Sequence, residues 1–101
     1  MSMIVNRRDV DFYLDEMFDL GSLLASERYS EHDRESITAI LNLCQNMAEE
    51  EFLPCAAEHD ENEPVFKDGK AITPDSLKAC LKTFVEAGLP TATFAHDLGG
   101  M

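Results

Sequence analysis

The sequence is short of basic residues. It carries 8 lysines and arginines against 20 aspartates and glutamates, so its formal net charge is −12 at pH 7. Nucleic-acid binding depends on lysine and arginine at phosphates, and anionic membrane surfaces attract the same side chains. The charge therefore argues against both partners. A solvated acidic surface is the favoured interpretation, and an acidic docking face is the alternative.

Long apolar runs are missing as well. No stretch approaches the roughly 20 apolar residues that a membrane-spanning helix needs. The first eight residues lack the apolar core of a signal peptide. Arg7 and Arg8 are followed at once by Asp9 and Asp11, which is unlike a transit peptide. We therefore expect a cytoplasmic protein that does not bind a membrane.

The sequence has few cysteines, and their spacing does not predict a disulfide bond. Cys44, Cys55 and Cys80 are an odd number and form no CxxC motif. On a straight helix Cys44 and Cys55 would lie about 16 Å apart, whereas a disulfide needs α-carbons within roughly 7 Å. We expect all three to be reduced, small core residues.

The length of 101 residues allows one domain at most. The hydrophobic fraction of 45% is ordinary for a globular protein and too high for a disordered one. A chain of this size buries roughly 60–65% of the surface of its unfolded state. We therefore expect a small core.

A long amphipathic helix is predicted over residues 30–60. Its apolar residues recur at steps of three and four, which places them on one side of a helix. This stripe consists of Ile37, Ile40, Leu41, Cys44, Met47, Ala48, Phe52 and Cys55. Leu43 and Leu53 lie beside the stripe, and we expect them to widen the buried arc.

The start of this helix and a break within it are also predicted. Ser30 or Asp33 can cap the first turn. Proline lacks an N–H and clashes with the preceding turn, so Pro54 predicts a kink or break. A short helical continuation should run to about Glu58.

A first helix is predicted over residues 9–20, after an N-terminal arm at residues 1–8. Asp9 is its predicted cap, and Gly21 is expected to end or bend it. One of its faces carries aromatic and methionine side chains, namely Phe12, Tyr13, Met17 and Phe18. Packing in a core that can include segments absent from this chain is the favoured interpretation of this face, and a partner-binding stripe is the alternative.

Residues 65–72 read as two short extended pieces around an Asp-Gly turn, or as irregular extended chain. A third helix follows, with Thr73 as cap, Pro74 at the first helical position and Gly88 just past its end. The predicted fold class is all-α: an incomplete bundle of three main helices, one long and kinked near Pro54, with a short hairpin. Because the chain ends on a Gly-Gly loop, we expect it to be cut before a further helix.

Several residue clusters have a chemical interpretation beside a structural one. Acidic residues concentrate between Glu49 and Glu63, but the loop that begins at Asp60 lacks the turn glycine of an EF-hand. Three His-Asp dipeptides stand at residues 32–33, 59–60 and 96–97. They lack zinc-ligand spacing such as HxxxH. A solvated acidic face and surface histidines are the favoured interpretations.

Two further possibilities concern nucleophiles and phosphate. A Cys–His nucleophile is conceivable, but each cysteine lies on an apolar helix face, where the thiolate is disfavoured. Gly99-Gly100 could cradle a phosphate, but without a neighbouring lysine a simple turn is the better interpretation. The sequence therefore assigns no catalytic, cofactor-binding or metal-ligating residue.

An ordered series of motifs runs through the chain. Residues 6–18 contain an Arg-Asp-x-x-Phe-x-Leu-x-Glu run, and residues 48–54 approach Ala-Glu-x-x-Leu-x-Pro. Residues 64–74 approach Pro-x-x-x-x-Gly-x-Val-x-x-Pro. The series is completed by His59-Asp60, Lys78-Ala79, residues 84–88 and Gly99-Gly100. It resembles the N-terminal region of a bacterial branch of acyl-CoA dehydrogenases that includes long-chain acyl-CoA and 3-methylmercaptopropionyl-CoA dehydrogenases.

The resemblance implies an FAD flavoprotein that oxidises acyl-CoA thioesters to 2-enoyl-CoA. Such proteins have an N-terminal helical domain, a middle β-domain and a C-terminal helical domain. Their catalytic glutamate lies far downstream, and their flavin contacts come mainly from later segments. Residues 9–101 would then be a partial N-terminal helical domain whose partner is the remainder of the polypeptide. The family usually has an aromatic residue after its Ala-Gly pair, whereas this chain has Leu89-Pro90.

Two functions stay open at this stage. The first is the N-terminal structural part of an acyl-CoA dehydrogenase, inactive by itself and without FAD of its own. The alternative is a stand-alone helical module for protein interaction or assembly. Under either, we expect an exposed apolar face and a homo-oligomer, because large apolar patches mark interaction sites.

Overall fold

The computed structural model describes residues 4–101 and is mainly helical, as predicted. Its helices are α1 (Arg7–Phe12), α2 (Leu20–Leu24), α3 (Arg34–Met47), α4 (Leu53–Glu61) and α5 (Asp75–Glu86), and its strands are β1 (Val65–Lys67) and β2 (Lys70–Ile72). The chain divides into two compact units, one up to Asn46 and the other from Met47. Among the residues described, no helix has both the length and the apolar character that crossing a membrane requires.

The first helix differs from its predicted bounds at both ends. It begins at Arg7 because the Asn6 side chain accepts a hydrogen bond from the Arg8 N–H at 3.1 Å, so Asp9 is not the cap. Residues 1–3 of the predicted arm lie outside the described residues. The helical chain ends at Asp19, whose φ is +50°, and its carboxylate then caps α2. Gly21 lies inside α2 rather than at the end of the first helix.

An arginine fastens this first segment to α3 within the first unit. The Arg34 guanidinium donates to the two carboxylate oxygens of Asp15 at 2.9 and 3.0 Å, and to Asp11 at 2.8 Å. It also donates to the Thr38 hydroxyl at 2.9 Å, one turn further along α3. The planar guanidinium therefore satisfies two carboxylates at once and fixes how the two segments meet.

A second arginine adds a contact further along α3. Arg7 Nη1 donates to the side-chain oxygens of Asn42 and Gln45, at 2.7 and 3.1 Å. Both acceptors are neutral amides, so this contact positions the start of α1 without neutralising a carboxylate. The two arginines hold the segment at two points along α3.

The start of α3 shows which predicted cap is used. Asp33 Oδ1 accepts a hydrogen bond from the Ser36 N–H at 2.7 Å, and the Ser36 hydroxyl accepts one from the Asp33 N–H at 3.0 Å. This reciprocal pair satisfies two N–H groups at the helix start. Ser30 instead ends a short 3₁₀ turn at Glu27–Tyr29.

The α-helix is interrupted near Pro54, as predicted, by a change of helix type rather than by a gap in the helical chain. A π-helical turn at Ala48–Phe52 separates α3 from α4, and Pro54 lies in the first turn of α4, where its missing N–H costs nothing. The predicted stripe is buried or half-buried along both helices. Leu43 and Leu53 are 39% and 46% exposed, so the expectation that they widen the buried arc was wrong.

Residues 65–72 form the antiparallel hairpin that the Asp-Gly pair predicts. Val65 pairs with Ile72, Phe66 with Ala71 and Lys67 with Lys70. The turn residues Asp68 and Gly69 have φ of +51° and +76°. Positive φ at both central residues is the pattern of a type I′ turn, whose twist matches that of the strands and which Asp-Gly pairs favour.

Helix α5 ends as predicted, and its start differs by one residue. Pro74 precedes the helix as its cap residue, its carbonyl accepts from the Leu77 N–H at 3.1 Å, and no side chain caps the helix. Thr73 is therefore not the cap. Gly88, with φ of +79°, stops the helix, and two 3₁₀ turns follow at Leu89–Thr91 and His96–Leu98.

Replacing Arg34 with lysine should lower the free energy of unfolding by about 1 kcal/mol, because an ammonium group cannot bind both Asp15 oxygens and Asp11 at once. The side chains are 35–47% exposed, so water screens the ion pairs and keeps the loss small. Urea denaturation followed by circular dichroism measures it. Arg8→Lys, at an exposed position of α1, is the matched control, and equal losses in the two variants would contradict this role for Arg34.

Candidate functional site

Apolar side chains on the surface outnumber those in the core. Four hydrophobic residues are buried in the described chain: Leu20, Met47, Cys55 and Cys80. Sixteen large hydrophobic side chains within residues 4–101 are exposed, with Phe66 at 79% and Phe18 at 70%. Scattered apolar residues on a surface need no explanation, but contiguous groups of them mark interaction sites. A cluster of aromatic side chains in the first unit and three exposed apolar residues of the hairpin in the second unit stand out.

The aromatic cluster of the first unit consists of Phe12, Tyr13, Met17 and Phe18. A π-helical turn at Tyr13–Met17 builds it, with the Phe18 N–H donating to the Tyr13 carbonyl at 2.9 Å. This wider turn brings residues five apart together, so the Phe18 and Tyr13 rings stack at 6.4 Å. Phe12 meets Tyr13 edge-on at 6.0 Å. Such turns occur frequently at functional sites.

The four side chains of this cluster are between 47% and 70% exposed. The described residues therefore do not bury them in a core of their own. A core completed by segments outside this sequence and a partner-binding stripe both stay as interpretations of the cluster.

The hairpin surface of the second unit consists of Val65, Phe66 and Ile72. Cross-strand partners share a face, so Val65 and Ile72 lie on one side and Phe66 on the other. All three are more than half exposed. A two-stranded hairpin is marginally stable by itself, and this one leaves apolar side chains in water on both faces.

A cleft of about 320 Å³ lies beside the hairpin and is lined by Glu58, Asn62, Glu63, Val65, Ile72, Thr73 and Pro74. Two carboxylates border it, and no lysine or arginine contributes to its lining. The phosphates of a dinucleotide would meet like charge there. These residues therefore do not fit FAD.

His59 and Ser76 form a hydrogen-bonded pair between α4 and α5. The His59 Nε2 and the Ser76 hydroxyl lie 3.0 Å apart. A serine nucleophile also needs an oriented base and donors for an oxyanion. Within residues 4–101, no hydrogen bond to Nδ1 orients the His59 ring. The pair is a structural contact between two helices.

The acidic residues and histidines are dispersed. No group of three or more histidine, cysteine, aspartate or glutamate side chains is arranged for a metal ion in the part of the chain that the structure describes. His32 instead contacts the Ser36 hydroxyl at 3.1 Å, and Asp33 caps α3. The cation and zinc interpretations gain no support.

The Gly99-Gly100 turn uses its own amides. The Gly99 N–H donates to the His96 carbonyl at 3.1 Å, and the Gly100 N–H donates to the Ala95 carbonyl at 3.1 Å. A side chain at Gly100 would collide with the Phe94 carbonyl, which explains a glycine there. A phosphate cradle needs N–H groups that point outward, so the geometry supports the turn.

A pair of cysteines in the second unit was not predicted from the spacing of residues along the sequence. Cys55 Sγ and Cys80 Sγ lie 3.1 Å apart, and among residues 4–101 neither thiol has a hydrogen bond with a histidine. The hydrogen bond with Cys55, burial, and the nearby charges of Cys55 and Glu51 raise the pKa of Cys80 from 9.0 to about 11. An activated nucleophile needs the opposite shift.

Iodoacetamide at about pH 8 should label Cys44 and leave Cys80 unmodified in the folded protein, because the thiolate is the reactive form. Labelling of Cys80 should begin as the pH approaches 11 or when urea unfolds the chain. Since the unfolded chain releases this proton first, folding stability should also decline as the pH rises from 9 towards 11. Peptide mass spectrometry measures the labelling, and equal rates for Cys44 and Cys80 at about pH 8 would refute the raised pKa.

Comparison of the chain with protein-family models, with curated proteins and with solved structures finds no match. The resemblance to acyl-CoA dehydrogenases therefore rests on the residue motifs alone. The geometry adds a different kind of observation, which is the exposed apolar side chains of both units.

Proposed function

We propose that this chain is the N-terminal helical part of an FAD-dependent acyl-CoA dehydrogenase, located in the cytoplasm, and that it acts as a scaffold without catalytic residues. The observation that carries the proposal is the contrast between four buried and sixteen exposed hydrophobic side chains in the described chain. A part of a larger domain has this property, because some of its apolar residues are shaped to meet other segments. The ordered motif series supports the same proposal.

The positions of the exposed groups agree with this role. The aromatic cluster belongs to the first unit and the hairpin surface to the second, so each unit offers apolar side chains to other protein. Full burial of an exposed apolar side chain contributes roughly 1.5–3 kcal/mol, and these side chains, already partly covered, gain a fraction of that. The remainder of the polypeptide is the proposed partner, and a second copy of the chain substitutes for it when the chain is alone. The net charge of −12 argues against a nucleic acid or an anionic membrane as the partner of these surfaces.

Chemistry belongs to other parts of the proposed parent protein. The parent reaction is the α,β-dehydrogenation of an acyl-CoA to a 2-enoyl-CoA. No glutamate of this chain is assigned as its base, and the acidic cleft of the second unit does not fit the flavin. What this chain supplies is packing surface.

The complete reading frame that contains this sequence should encode a yellow protein with bound flavin, because the proposed parent is a flavoprotein. Adding an acyl-CoA should bleach the flavin absorption under anaerobic conditions. The isolated 101-residue chain, purified in the same way, is the control and should be colourless. A complete gene product without flavin would overturn the proposal. A stop codon directly after Met101, with an oligomeric product, would favour the stand-alone assembly module instead.

The isolated chain should form a dimer or larger oligomer, because copies can cover each other's apolar side chains. Changing the most exposed one, Phe66→Ser, should shift the population toward monomer. Lys70→Ser, on the same hairpin, removes a charged side chain and should leave the oligomer in place. Light scattering combined with size-exclusion chromatography measures the mass. A clean monomer of the unaltered chain at high concentration would contradict the expectation.

A further inference from the structure

Two thiols from different helices meet in the interior of the second unit. Cys55 lies in the first turn of α4 and Cys80 near the middle of α5, and their Sγ atoms are 3.1 Å apart. The residues are 9% and 3% exposed. The sulfur atoms are in direct contact, and a disulfide bond of about 2.05 Å needs them to approach by only about 1 Å more.

One backbone group holds the two thiols together. The Glu51 carbonyl, in the π-helical turn before α4, lies 3.2 Å from Cys55 Sγ and 3.3 Å from Cys80 Sγ. Both sulfur atoms therefore share an acceptor that belongs to neither of their helices. The shared acceptor lies in the π-helical turn that precedes Pro54.

We propose that Cys55 and Cys80 are a redox modification site, at which a hydroperoxide converts the two thiols into a reversible disulfide that ties α4 to α5. The bond would close the loop formed by residues 56–79, which contains the hairpin. In reducing compartments, disulfides are usually transient and serve in catalysis or redox sensing. The site is independent of the proposed acyl-CoA dehydrogenase function.

The oxidation balances in two steps. Cys55, the more exposed thiol, attacks one peroxide oxygen, the O–O bond breaks, and sulfenic acid and water form from hydrogen peroxide. The Cys80 sulfur then attacks the sulfenic sulfur, the S–S bond forms, and hydroxide leaves with the Cys80 proton as water. The sum converts two thiols and one hydrogen peroxide into one disulfide and two waters, and a dithiol reverses it.

The position of Cys80, rather than its acidity, agrees with the second role in this sequence. Its raised pKa disfavours the thiolate, so Cys80 is a poor first nucleophile, and its attack on the sulfenic sulfur depends on contact and on loss of the thiol proton as the S–S bond forms. Contact with Cys55 places it beside the sulfenic sulfur as soon as that group forms. A structural zinc site would need four ligands, and the described residues arrange no third one around the pair.

The first test uses the full chain with Cys44→Ser, which removes the third cysteine and keeps the pair. The reduced protein is treated with hydrogen peroxide, unfolded, alkylated and analysed by peptide mass spectrometry. We expect the Cys55 and Cys80 peptides to be linked within one chain, a mass loss of two hydrogen atoms, and recovery with dithiothreitol. The proposal is overturned if both thiols remain alkylatable, or if the link joins two chains.

A second measurement reads the consequence for the fold. Closing this loop should raise the melting temperature of the oxidised protein by about 10 °C or more. Cys44→Ser combined with Cys80→Ser is the matched control, in which peroxide should leave a sulfenic acid at Cys55 that dimedone traps, without a rise in melting temperature. The same rise in both variants would overturn the proposal. Should Cys80→Ser fail to fold, the peptide map of Cys44→Ser decides alone.

Discussion

The helices bury few apolar side chains, and this small core is the constraint on which the rest of the structure depends. In the described chain no large side chain is fully buried, and most residues of the amphipathic stripes are only half-covered. Burial of apolar surface is the dominant favourable term in folding, so units with so small a core gain from any protein that covers their remaining apolar residues. Polar contacts such as those of Arg34 then fix the geometry more than they supply stability.

Much of the helical framework follows from local rules. The apolar stripe around Ile40 is predictable from its helical period, and the interruption near Pro54 from the missing N–H of proline. The Asp68-Gly69 turn is predictable because both residue types tolerate positive φ. Each of these properties belongs to residues that are neighbours in the sequence. The bounds of the first helix are not, because Asn6 and Asp9 are both acceptable caps and the choice depends on how α1 meets α3. The π-helical turns have no signal in the hydrophobic period and were not predicted.

The candidate site was predicted in its residues but not in its exposure. Phe18 and its neighbours were identified as a single face, yet a period of 3.6 describes a face that packs on its own chain and one that packs on another chain equally well. Hairpin residues such as Phe66 gave only a strand signal. The contact of Cys55 with Cys80 was not predicted. The two cysteines are 25 residues apart and lie in different helices, and spacing within one helix gives no information on such a contact.

The central claim is that the exposed apolar side chains are surfaces for other protein. Hydroxyl-radical footprinting tests it most directly, with Met17, Phe18 and Phe66 as reporters in the isolated chain held at low concentration and in the complete gene product. The account predicts rapid oxidation of these three residues in the isolated chain and strong protection in the complete product. Equal oxidation in both preparations would show that nothing covers them and would contradict the account.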